Sequence, residues 1–173
     1  MTLPKALPDL LKLPDDEAQR ILRAAARRVA DLPRGSSPDV VWVLGANELL
    51  LHTAGIGLSC QPGQVTITLP VACDQLRDGA SVQIPFAVGT DEAPSGLVMS
   101  TLDRPAGPAL IVEAWAGSLI AFAWETLLHL ASQLCASAGQ DEAGRPLVPG
   151  YVGAGRGVLF IQPITRHATA GSP

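Results

Sequence analysis

The stretch Gln64–Cys73, QVTITLPVAC, decides the fold class. Val65, Ile67, Leu69, Val71 and Cys73 alternate with Gln64, Thr66, Thr68, Pro70 and Ala72, the period-two pattern of a strand with one apolar face and one open face. Pro70 has no N–H to give to a ladder, so it marks an edge or a bulge. Working outward, the turn Gln61-Pro62-Gly63 separates this strand from GIGLSC (55–60). Further upstream, VVWVL (40–44) and ELLLHT (48–53) flank the turn signal Gly45-Ala46-Asn47. Downstream, SVQIPFAVG (81–89) repeats the alternation and again carries a proline, Pro85, on its polar side. GLVMSTL (96–102) and ALIVEAW (109–115) read as two further strands, and GVLFIQPI (157–164) as the last. Short strands with brief links predict an antiparallel meander.

Two helices bracket most of these strands. Asp15, Asp16 and Glu17 open the first, where acids suit the positive end of the helix dipole, and Arg27 and Arg28 lie near its close. Ala18, Ile21, Leu22, Ala25, Val29 and Leu32 share one face of it. The second is predicted from Ser118, as N-cap, to about Ser137 before Gly139. Apolar residues cover most of its circumference, and Ser118, Glu125, His129, Ser132 and Gln133 form one polar stripe. Such a helix is expected to be buried on most sides. Glu125 near the middle of the apolar run, with no flanking Lys/Arg cluster, argues against a membrane span.

The expected fold is therefore α+β. It has an antiparallel sheet of six to seven strands, open or closed into a partial barrel, with the long helix on its apolar face and an amphipathic N-terminal helix beside it. Residues 1–14, with Leu-Pro steps at 3–4, 7–8 and 13–14, read as an extended arm carrying Leu3, Leu7, Leu10 and Leu11. Residues 15–164 form one domain, the Gly/Pro-rich stretch 139–156 is a loop, and 165–173 a frayed tail.

Charge is scarce and uneven. Asp, Glu, Lys and Arg make up 16% of the 173 residues, below the roughly 25% of ordinary soluble domains. Residues 1–38 hold seven of the twelve bases against five acids, leaving five bases and eleven acids for the rest. A body with so few charges is expected to have part of its exterior covered by another surface. The cysteines, at 60, 73 and 135, form no CxxC pair, and Pro4, Pro8, Asp9 and Pro14 interrupt any signal-peptide core. The cytoplasm is the expected compartment.

Motifs for chemistry are weak. Glu125 and His129, four apart on one helix face, would suit an acid/base pair or the polar anchors of a small-ligand site. A helical di-metal centre needs further carboxylates in a second copy of the pair, so no metal or cofactor is assigned. Gly153-Ala154-Gly155-Arg156-Gly157 precedes a strand, whereas a phosphate loop must precede a helix. Cys60 and Cys73 keep phase with apolar faces, and three histidines, at 52, 129 and 167, are too few for a His-rich metal site. Arg20, Arg23, Arg27 and Arg28 offer a basic face to an acidic partner, but a pI of about 5.2 argues against nucleic acid. Three functions follow in order of weight. The first is a non-catalytic interaction or structural subunit, a homo-oligomer (a dimer first) or a partner of another chain. The second is a binder of a small apolar ligand between sheet and second helix. The third is an enzyme with scattered catalytic residues.

Overall fold

The computed structural model describes residues 8–93 and 97–166. In chain order its elements are β1 (Leu11–Pro14), α1 (Asp15–Val29), β2 (Asp39–Leu44), β3 (Asn47–His52), a single-turn 3-10 helix (Thr53–Gly55), β4 (Gly57–Gln61), β5 (Gln64–Cys73), β6 (Leu76–Ala87), α2 (Ala109–Ala138), β7 (Val148–Gly155) and β8 (Val158–Ile164). The protein is α+β, with two antiparallel sheets and one long helix. The single sheet or partial barrel expected from sequence is thus two separate sheets. One has three strands in the order β1-β8-β7, and the other has five, built around β5.

β5 pairs with β6 along one side over its whole length. Along the other side, β4 pairs with Gln64–Thr68 and β3 with Val71 and Ala72. The chain from β3 through the 3-10 turn to β4 is therefore one path beside β5, and it lifts away opposite Pro70. That gap resolves how a proline sits in an interior strand: no ladder bond is required of it there. Gly55, in the lifted turn, closes over the proline. A Cβ on Gly55 would lie 2.9 Å from Pro70 Cγ.

α1 covers the free edge of β4 with side chains spaced one helical turn apart. Asp15 Oδ2 accepts from the Cys60 N–H at 3.2 Å, Gln19 Oε1 accepts from the Leu58 N–H at 3.1 Å, and Arg23 Nε donates to the Ile56 carbonyl at 2.8 Å. The i, i+4, i+8 rise of the helix meets the two-residue period of the strand running the other way. Ala18, Leu22, Ala25 and Ala26 on the adjoining face are buried.

Three strand and loop expectations are corrected. Residues 109–115 are the first turns of α2, which begins after Pro108 and runs through Gly117 and Ser118. Ile111, Trp115 and Leu119 continue one buried face at helical spacing, and exposed Gly117 costs only about 1 kcal/mol in a helix otherwise well packed. Residues 97–102 form no ladder. Instead Ser100 O accepts from Ala87 N–H at 2.7 Å, Leu102 N–H donates to Pro85 O at 2.9 Å, and Ala106 exchanges both bonds with Gln83, so the segment covers the free edge of β6 by single bridges. Within 139–156, Val148–Gly155 is a strand. Its glycines are there for close approach: a Cβ on Gly150 would lie 2.6 Å from Ile164 Cγ2, and one on Gly153 would lie 2.9 Å from the Gly89 carbonyl. At that crossing Gly89 and Gly153 bridge the two sheets, with Ala154 N–H to Gly89 O at 2.9 Å and Gly89 N–H to Val152 O at 3.2 Å.

Residues 11–14 are extended, but they do not stand free. They pair with β8, Leu13 is buried, Leu11 packs against the core, and Gln162 Nε2 donates to the Pro8 carbonyl at 2.7 Å. Leu3, Leu7, His167 and most of the expected tail lie outside the described residues. α2 packs against α1 and both sheets, with Leu119, Leu127 and Leu130 fully buried. By length and composition it could cross a membrane. Its outward face is mostly small, however: Ala114, Gly117, Ser118 and Ala121 are exposed there beside Glu125.

Candidate interaction surface

The outer face of the five-stranded sheet is built from the polar-phase residues of each strand. Thr66, Thr68, Pro70 and Ala72 of β5 lie half-buried between Ser81, Gln83, Pro85 and Ala87 of β6 and Leu50 of β3. None of these carries a charge, which is unusual for the solvated side of an antiparallel sheet. Ionisable groups stand at its rim: Glu48, Asp74 and Arg77 at one end of β2, and a hydrogen-bonded Asp39–His52 pair at the other. Between Val41, Leu50 and Ala72 and that first charged group lies a shallow groove of about 270 Å³. A smaller cleft of about 80 Å³ adjoins it under the start of α2, beside Leu110 and Trp115.

β2 is the free edge of this sheet. Val41, Val43 and Leu44 are 54%, 64% and 54% exposed. Trp42 points to the inner face, where it meets Trp115 at 6.3 Å and Phe122 at 5.5 Å between ring centroids. The hairpin to β3 closes on the Leu44–Asn47 pair around Gly45 and Ala46, with Gly45 at φ 62°. In a two-residue hairpin that closing pair is hydrogen-bonded, and bonded pairs then alternate. Leu44, Trp42 and Val40 therefore bond to β3, while Val41 and Val43 turn both N–H and C=O outward. The remaining outward donor, Asp39 N–H, is taken by Ser37 Oγ at 3.3 Å.

Much of the other sheet edges is occupied by the chain itself. α1 covers β4, residues 100–106 cover the Gln83–Ala87 half of β6, and backbone bonds from Gly63 and Gly89 engage β7. β1 is four residues long and ends on Pro14. An open strand with two exposed valines, no lysine, no proline and no bulge is the kind of edge that soluble proteins otherwise blunt.

The residues singled out from sequence fall elsewhere. Glu125 is exposed on α2. His129 is half-buried with its Nε2 buried and unbonded, and no hydrogen bond joins the two. The interior beside them is filled by Leu127 and Leu130, and the two clefts above lie at the far end of the helix. Two of the four arginines of α1 are engaged within the chain. Arg23 bonds the Ile56 carbonyl, and Arg27 holds the Pro33 and Ser36 carbonyls at 2.9 and 3.3 Å, whereas Arg20 and Arg28 are exposed. Among the described residues, no group of three or more His, Cys, Asp and Glu is placed to hold a metal ion.

Cysteine chemistry is muted. Burial first, and then the Asp15 carboxylate, hold the Cys60 thiol far above its ordinary pKa, and burial pushes Cys135 up to about 11. Cys73 borders the groove, but no imidazole lines it to act as a base. The uncharged face of β5 and β6 is legible in the sequence as a surface that another could cover, whereas the open strand β2 was missed as a site. Val41 and Val43 signalled it, standing in phase opposite to Trp42.

No family model, curated protein or solved structure matches this chain.

Proposed function

We propose that this chain is a non-catalytic structural subunit that works by self-association through the β2 edge and the uncharged sheet face beside it. The observation that carries this reading is β2. Among the described residues no other part of the chain covers it, and its outward residues Val41 and Val43 are apolar, whereas the uncovered start of β6 carries Arg77 and Asp78. Burying such a strand gains about 25 cal/mol per Å² of apolar area and satisfies backbone groups otherwise left to water. The low charge of residues 39–173 supports it as well, since little repulsion opposes the approach of a second copy. A closed two-fold dimer is the form such a self-complementary edge favours. Three free cysteines support a reducing compartment, the cytoplasm.

Light scattering on a gel-filtered sample at micromolar concentration tests this. The expected mass is that of two chains. A mass near the 17.9 kDa of one chain refutes self-association.

A further inference from the structure

We infer that two copies join β2 to β2 in antiparallel fashion, about a two-fold axis at Trp42, making one continuous ten-stranded sheet from the two five-stranded ones. The inference rests on the self-association reading and adds its partner surface and register. Backbone groups restrict the choice. Residues directly opposite in an antiparallel pair must both aim their N–H and C=O at the partner, so only odd-numbered residues of β2 can face one another in bonded pairs. With Asp39 N–H already held by Ser37 Oγ, the outward donors left on each chain are those of Val41 and Val43. Setting Val41 opposite the partner's Val43 uses both donors and both acceptors of each chain, four bonds in all.

Side chains select the same register. Val41 meets the partner's Val43 on the outer face. Val40 meets the partner's Leu44 on the inner face, and the two Trp42 rings adjoin across the axis. Every residue of β2 more than half exposed (Val41, Val43, Leu44) thereby gains an apolar neighbour. Trp42 already stacks in a cluster with Trp115 and Phe122, so the two clusters become one. Asp39, the one charge on β2, lies beyond the paired residues and keeps its His52 partner. The two neighbouring registers are poorer. The one centred on Val41 sets Val43 against the partner's Asp39, whose N–H is occupied, and leaves Leu44 opposite Pro38. The one centred on Val43 leaves Val41 opposite the turn residue Gly45 with no apolar side chain to meet. A second copy is favoured over a foreign strand because the edge complements itself, apolar for apolar and donor for acceptor.

Sedimentation velocity on three proteins decides the matter: the parent, the variant carrying Val41→Lys and Val43→Lys, and the variant carrying Val41→Glu and Val43→Lys. Both positions are exposed, so circular dichroism should show all three folded. Parent at two chains, the double-lysine variant at one and the Glu/Lys variant back at two is the expected result, because the carboxylate introduced at position 41 then meets the ammonium introduced at position 43 of the other copy. If the parent itself runs as one chain, both the pairing and self-association fall. If the double-lysine variant stays at two chains, β2 pairing falls and association through another surface stands. If both variants run as one chain, the Trp42-centred register falls, since a Val41-centred pairing would set the two introduced carboxylates against each other.

Discussion

Replacing Gln19 with Ala removes the acceptor of the Leu58 N–H without touching the buried stripe of α1. Leu58 is 6% exposed, and Gln19 Oε1 accepts its N–H at 3.1 Å. A buried donor left without a partner costs about 1–3 kcal/mol, more than the net gain of an ordinary bond, because the group has already lost its water. The flanking Asp15 and Arg23 bonds keep the helix in place, so the vacated space opens toward a donor that is still shielded. Taking about 2 kcal/mol for the loss and about 2 kcal/mol/M for the urea slope of a small domain, the unfolding midpoint should fall by about 1 M. Gln19→Glu is the control, since a carboxylate oxygen can accept the same bond and should hold the midpoint near the parent. Equilibrium urea unfolding followed by circular dichroism reads the midpoint, and amide exchange of Leu58 reads the site. A Gln19→Ala midpoint within about 0.2 M of the parent at unchanged slope, with Leu58 still protected, would refute the account of α1 as the cover of β4.

Four further outcomes can be checked. Gly55→Ala should cost about 1–3 kcal/mol by forcing its methyl to 2.9 Å from Pro70 Cγ, and Pro70→Ala should recover much of that in the double variant, as thermal melts over a double-mutant cycle would show. Leu127→Ala and Leu130→Ala should each cost about 2–5 kcal/mol, both side chains being fully buried; melts within about 0.5 kcal/mol of the parent contradict it. A thiol reagent at pH 8 should label Cys73 in the native protein and all three cysteines only after unfolding. The raised pKa values of Cys60 and Cys135 contribute stability that is present below the ordinary 9.0 and lost as pH climbs above it, so alkaline unfolding should begin there and move in a Cys135→Ala variant.

The alternation in 64–73 was legible because Val65, Ile67, Leu69 and Val71 on one face of β5 are all buried; it ends at the register shift before Cys73, which is half-buried. The start of α2 was not. Ile111 and Val112 are β-branched and Gly117 looks like a stop, yet the packing of Ile111, Trp115 and Leu119 on a shared face outweighs both. β7 hid behind its glycines, whose use is a close crossing between sheets that no local pattern announces. The arginines of α1 read as a surface because helical spacing cannot show that a strand edge and a loop present carbonyls to Arg23 and Arg27. The open edge was half visible: VVWVL announced a strand, but its place at the border of the sheet depends on which strands lie beside β3.

The pairing of β1 with β8 orders events in time as the chain folds. Residues 11–14 can form their ladder only with residues 158–161, so the smaller sheet closes after nearly everything between them has been made. Long loops close slowly, and contacts distant in sequence reward the chain late. During synthesis α1 can settle on β4 early, because Asp15, Gln19 and Arg23 need only residues 56–60. The four residues just before the helix must wait, with Leu11 and Leu13 in water. The β1–β8 pairing should therefore form after the main barrier to folding, and weakening it, as by Leu159→Ala, should chiefly speed unfolding and leave the folding rate little changed.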